Sequence, residues 1–255
     1  MVCRALSPGA GLVVMRLLKG IFVGVLMILA ETTGADIRHT IGLARDAEDQ
    51  SLRYIEHHQY LDEETHLVRY FDADLDLILT KEISYPGLPQ HPVIIQRDFV
   101  NETDIVFEHF EGMATMIREN RNDRQEFSFE LADNIIIDAG FDAFIRENWE
   151  ALSNDRPRRY KMAIVGQSRL LSVNVSLESR TLETSTFSIR PVNWLVRLLL
   201  PEVRLTYDSD RRLLTYRGLS NLKPGPSESR AVTIDFDHYA LDSSLEMPLS
   251  QWIRP

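Results

Sequence analysis

NIIIDAGFDAFIRENWEAL, residues 134–152, is the stretch on which the fold turns. Three consecutive isoleucines, Ile135 to Ile137, read as a short apolar strand, and Asp138-Ala139-Gly140 as a turn. Phe141, Phe144, Ile145, Trp149 and Leu152 then recur at helical spacing, while Asp142, Arg146, Glu147 and Glu150 take the opposite face. This is the one convincing helix in the body of the chain. The segments on both sides alternate at period two, the period of a strand with one face buried. The expected fold is therefore mostly β: a curved antiparallel sheet forming an open or half barrel, with this central amphipathic helix packed against it as a plug or cover.

Upstream, the pattern predicts strands over Ser51–Tyr60, His66–Phe71, Leu77–Tyr85, Val93–Val100, Ile105–Phe110 and Ala114–Glu119. Tyr85 to Pro92 is a loop by its prolines and glycine. Phe127, Phe129 and Leu131 alternate with Ser128 and Glu130. Downstream, Lys161–Val165 is a strand, and Leu171, Val173, Val175 and Leu177 alternate cleanly with Ser172, Asn174, Ser176 and Glu178. Thr184–Ile189 is the expected partner of that strand. Pro191–Pro201, PVNWLVRLLLP, interrupts the β pattern as a helical turn or buried loop. Val203–Tyr207 and Leu213–Arg217 flank Asp208-Ser209-Asp210-Arg211-Arg212 in a hairpin signature, Asn221–Arg230 is a loop, and Ala231–Phe236 is the last strand. About twelve strands at regular spacing favour a curled sheet over βαβ units.

The N-terminus carries an export pattern. Arg16 and Lys19 precede the apolar run Gly20–Ala30, and Thr33 and Ala35 place small residues at a cleavage site. The run is shorter than the ~20 residues a membrane span needs. The reading is a signal peptide over residues 1–35, with Met15 as an alternative start and an uncleaved inner-membrane anchor as the alternative fate. Residues 36–50 read as a leader, 51–240 as a single β-rich domain, and 241–255 as a tail whose Trp252 docks back on the body. The one cysteine, Cys3, falls within the removed segment. That excludes an internal disulfide framework, a cysteine zinc site and a cysteine nucleophile from the mature chain. A cysteine-free mature chain behind such a signal points to a Gram-negative periplasm, and no stable membrane span remains after cleavage.

The net charge is −10, and loss of Arg4, Arg16, Lys19 and Glu31 with the signal makes it −12. An acidic chain without a basic block argues against nucleic acid as partner. Motifs for chemistry are sparse. His57 and His58 are adjacent on a strand and point to opposite faces, so they cannot share a metal; His66 across the hairpin would give His58 one companion at most. The simple reading is exposed strand histidines and no metal. Gly166-Gln167-Ser168 lacks the closing glycine of a nucleophile elbow, and Ser220–Lys223 matches SxxK outside a helix. No phosphate loop or dinucleotide fingerprint is present, no cofactor is expected, and no carboxylate pair is placed for acid–base work.

The segments IIIDAGFDAFIRENWEAL, Tyr160–Leu177 and RRLLTYRGLSNL (Arg211–Leu222) resemble a group of exported proteobacterial proteins, and more loosely the DUF3108 family of periplasmic β-rich proteins. The resemblance implies an unclosed β-barrel like those of lipoprotein carriers and sensors in the Gram-negative envelope. It carries over no functional residue. The function expected is a non-enzymatic periplasmic binding protein holding a hydrophobic or lipid-like ligand in the curved sheet. Phe141, Phe144, Ile145 and Trp149 would form an apolar lid, with Trp194, Leu195 and Leu198 lining the pocket. The alternative is an envelope protein-interaction or scaffold module without a pocket, its apolar residues simply core.

Overall fold

The computed structural model describes residues 39–154, 156–198, 200, 202–220, 222 and 231–239. The expected signal peptide, most of the Asn221–Arg230 loop and the tail with Trp252 lie outside the described residues. The first half of the fold comprises β1 (His39–Asp46), β2 (Leu52–Tyr60), β3 (Thr65–Phe71), β4 (Leu77–Ser84), β5 (Val93–Asp98), β6 (Thr103–Phe110), β7 (Met113–Asn120) and β8 (Arg124–Glu130). Then come β9 (Ile135–Ile137), α1 (Gly140–Glu147), α2 (Trp149–Leu152), β10 (Arg158–Ala163), β11 (Leu170–Arg180) and β12 (Thr184–Pro191). The last elements are α3 (Trp194–Arg197), β13 (Val203–Asp208), β14 (Leu213–Leu219) and β15 (Ala231–Tyr239).

All fifteen strands form one open sheet in the order β8-β7-β6-β5-β4-β3-β2-β1-β15-β14-β13-β12-β11-β10-β9. Every pairing is antiparallel except β9 with β10. The mostly β, curved open sheet is the architecture the period-two pattern indicated. The hairpin around residues 208–212 forms as expected: Asp208 Oδ1 accepts from the backbone N–H groups of Asp210 and Arg212, an Asx-type turn.

Two expectations are corrected. The stretch read as a leader contains β1, which lies in mid-sheet between β2 and β15. It lacks alternation because both its faces are covered. Ile41 and Leu43 join Ile55, Leu52, Phe71 and Tyr239 on one side, while Thr40, Gly42 and Ala44 are buried on the other. Gly42 is dictated by packing there, since a Cβ would come within 2.7 Å of the Phe236 ring. The single helix, in turn, is broken at Asn148 into α1 and α2. The Asn148 side-chain amide donates to the Phe144 carbonyl, the same group its backbone N–H reaches, so the residue competes with the helical ladder.

The inner face of the sheet carries two cores. One gathers Val68, Ile83, Ile94, Phe107 and Met116 from the first strands with Ile137 and Ala163 from the last. Residues far apart in the strand order are thus packed together, which is what the curl of the sheet accomplishes. The other core packs Phe144, Ile145, Trp149 and Leu152 against Val175, Phe187, Leu205 and Tyr207. Tyr216 packs against both. The loop before β5 secures the β9 end. Gln90 O accepts from Ile137 N–H, and the His91 ring bonds the Ile135 carbonyl at 3.0 Å. Gly140 sits so close to Pro92 and the Gln90 carbonyl that a Cβ would meet them at 2.7 and 3.0 Å.

Candidate functional site

The alternation of β2 puts Tyr54, Glu56, His58 and Tyr60 on the face turned toward α1. Register extends that polar row across the sheet. Thr40 pairs with His58, His58 with Val68, Val68 with Lys81, and Lys81 with Gln96. Thr40, Glu56, Lys81 and Gln96 are all buried. His66, opposite Tyr60 in register, reaches diagonally to His58, and their rings stack with centroids 5.0 Å apart. His58 Nε2 lies 2.9 Å from Glu56 Oε2, and His58 Nδ1 lies 3.0 Å from His66 Nε2. Tyr60 stacks on His66 at 4.5 Å, nearly parallel.

Burial in this interior pushes the His66 pKa well below its ordinary value, helped by His58, Arg146 and Lys81. Burial likewise raises the Tyr60, Tyr70 and Tyr207 hydroxyl pKa values. These groups therefore stay neutral: an apolar surrounding disfavours the charged form of each. Paired ions complete the row. Lys81 Nζ stands 3.5 Å from Asp138 Oδ1, both side chains nearly inaccessible, while Asp138 Oδ2 accepts from Val165 N–H at 2.8 Å. Asp138 has a positive φ of 26° directly before α1, so this strained residue is held by a strand on one side and a turn on the other. On α1, Arg146 pairs with Asp142 one turn earlier at 3.0 Å. Asp142 Oδ1 and the Tyr207 hydroxyl, side by side in the interior, are buried without a hydrogen-bond partner among the described residues.

The apolar residues expected to form one lid and pocket are divided. Phe144 and Ile145 are 2% and 0% exposed and Trp149 7%, so they are core. Trp149 meets Phe187 and Tyr207 edge-on at 4.8 and 5.5 Å, with the Arg211 guanidinium 5.2 Å over its ring. Phe141 is half-buried at the junction of the two cores, 6.3 Å from the Tyr216 ring. Trp194, Leu195 and Leu198 are not brought to them. On α3 and its C-cap these are 67%, 53% and 73% exposed. Asn193 caps α3 by accepting from Leu195 N–H, and Arg197 donates to the Pro191 and Val192 carbonyls. The polar side chains thus face the sheet margin and the apolar ones face outward.

The strand histidines are corrected too: His57, His58 and His66 are half-buried rather than exposed. His57 and His58 do point to opposite faces, His57 to His39 at 3.0 Å on the outer face. Among the described residues no three metal-ligating side chains converge. Gly166 lies in a turn with φ 79°, and Ser168 is exposed with no helix following. Sequence reasoning passed over Glu56, Lys81 and Tyr207, weighed His66 only as a metal companion of His58, and read Asp138 only as a turn residue. The signal available was the alternation Tyr54-x-Glu56-x-His58-x-Tyr60, which places acid, imidazole and phenols on one face.

Comparison of the chain with protein-family models, with curated proteins and with solved structures finds no match.

Proposed function

We propose that this chain is an exported, non-enzymatic binding protein that holds a hydrophobic or lipid-like ligand between the inner face of the sheet and α1. The observation that carries the reading is the polar row on the inner face, with Thr40, Glu56 and Lys81 buried and His58 and His66 half-buried, beside two buried polar atoms, Asp142 Oδ1 and Tyr207 Oη, that lack partners. A core built for stability alone gains nothing from the two unpartnered atoms, because each buried and unpaired polar atom costs roughly 1–3 kcal/mol. A site that must orient the polar end of an otherwise apolar molecule needs them. The apolar part of the ligand would lie along Phe141 and the aromatic cluster, with α1–α2 moving aside about Asp138 to admit it. Trp194 and Leu198 belong to no such pocket.

The test is native mass spectrometry with lipid extraction on protein purified from a bacterial periplasm. A near-stoichiometric apolar adduct supports the reading. A clean unliganded mass moves the assignment to the second reading, an envelope protein-interaction module. The exposed triplet Trp194, Leu195 and Leu198 favours that alternative.

A further inference from the structure

We propose that β8 is a docking edge for a second copy of this chain, and that the two β8 strands pair antiparallel about Phe127. The inference stands apart from the ligand-binding reading and needs nothing from it.

β8 is an open end of the sheet, hydrogen-bonded to β7 and, among the described residues, to no other strand. Two bonds at its ends show which way its backbone points. Asn120 N–H donates to the Asp123 carbonyl at 2.9 Å, and Leu131 N–H donates to the Gly112 carbonyl at 2.8 Å. Antiparallel ladders alternate, so Gln125, Phe127 and Phe129 turn their backbone groups to β7. Arg124, Glu126, Ser128 and Glu130 turn theirs outward, and all four residues are exposed. Such free N–H and C=O groups are a template for another strand.

The side chains select which strand. A two-fold axis at Phe127 sets Arg124 opposite Glu130 of the second copy, and Glu126 opposite its Ser128. Both pairs join outward-facing residues, so the free backbone groups find partners, and each Arg–Glu pair is attractive. Arg124 already meets Glu119 Oε2 at 3.0 Å, and its guanidinium has donors enough for a second carboxylate. On the inner face, half-buried Phe127 meets Phe127 of the second copy at a non-hydrogen-bonded position, where side chains come closest. Other registers fail. A slide of one residue sets outward-facing backbone against residues already bonded to β7. A slide of two sets Glu126 against Glu126 in one direction and Glu126 against Glu130 in the other, and like charges directly opposite repel. Longer slides leave most of the edge unpaired.

The assembly stops at two. At the other end of the sheet β9 is three residues long and fully buried, so it offers no edge to a further copy. A seven-residue strand is a small contact beside the ~800 Å² per partner of stable complexes. The pairing is therefore weak, and in dilute solution β8 keeps its free edge. The same charges oppose foreign strands that do not match them.

The test follows protein purified from a bacterial periplasm, from low micromolar to millimolar concentration, by sedimentation and amide hydrogen exchange. The mass is expected to double across that range. The Arg124, Glu126, Ser128 and Glu130 amides should start unprotected and slow roughly tenfold as it does. Ser128→Pro removes an outward N–H and no bond to β7, so it should keep the fold and hold the protein monomeric. Should that variant not fold, Arg124→Glu should dissociate the pair and the added change Glu130→Arg should restore it. A monomer at every concentration overturns the proposal, as does a dimer that survives Ser128→Pro or a charge exchange that restores nothing. Protection of these amides by a copurifying strand of another protein, without a doubled mass, overturns it as well.

Discussion

Tyr207 buries its entire ring in a T-shaped stack with Trp149 and Phe187, and its hydroxyl finds no partner. The ring contributes packing, whereas the hydroxyl has lost its water without replacement. Tyr207→Phe keeps the ring and removes the unsatisfied atom. It should therefore leave stability unchanged or raise it by up to about 1 kcal/mol, measured by urea unfolding. A loss of stability would mean that the hydroxyl donates to Asp142 in solution. The histidines set a second expectation at the same scale. Burial lowers the His57 pKa from 6.5 to about 4, with His39 and Arg69 adding to it. The unfolded chain takes up a proton at this residue near pH 6.5 and the folded chain only near pH 4. Stability should accordingly fall as pH drops through that window, and level off below it for this group. His66 and His39, shifted the same way, act in the same direction. Urea midpoints from neutral pH downward test this, and His57→Gln should flatten the slope.

At the scale of elements, the paired helices α1 and α2 and the short α3 show what apolar residues at similar spacing can mean. Trp149 is packed by Phe187, Tyr207 and Arg211, so Trp149→Ala should cost about 3–5 kcal/mol of stability. Trp194 is 67% exposed, and Trp194→Ala should stay within about 0.5 kcal/mol. Thermal unfolding of the two variants, side by side, makes the comparison. The period of residues 141–152 was legible because a helix lying on a sheet must bury one stripe. The break at Asn148 was not, because it depends on a side-chain bond to Phe144 O that leaves no mark on the apolar pattern. Alternation disclosed β11, with β12 expected as its partner, and missed β1, both of whose faces are covered. The polar row was illegible for a related reason. Its members are spread over β1 to β5, and only the register brings Thr40, His58 and Lys81 into line. Apolar residues of the Pro191–Pro201 segment were read inward, since composition alone does not say which side of α3 Arg197 ties to the sheet.

For the molecule as a whole, an open sheet has two edges, and the two are finished differently. β9 is only three residues long, fully buried, and bonded at its flank by Gln90 and His91. β8 pairs with β7 alone, and it exposes Arg124, Gln125, Glu126, Ser128 and Glu130. Charged side chains on a free edge discourage pairing with another chain. They do not supply the missing strand, so β8 should open at the lowest free energy in the sheet. Hydrogen exchange is expected to release β8 amides well before those of β1 and β15, which are paired on both sides. Protection of β8 equal to that of β1 would point to a covered edge in solution.

Thr40 and His238 face each other at 3.0 Å although 198 positions separate them, and the β1–β15 seam they belong to is the one ladder that joins strands distant in sequence. All other strand neighbours are consecutive along the chain. The two halves of the sheet are thus tied twice: once through this seam, and once covalently through the exposed residues Ala132, Asp133 and Asn134. A protease that cut at Asp133 would sever only the covalent tie. The fragments, each a run of consecutive strands, would still share the seam and the core that mixes Ile137 and Ala163 with Phe107 and Met116. The nicked protein should therefore migrate as one species under native conditions and as two under denaturing ones. Split genes encoding the two halves should reassemble the same molecule.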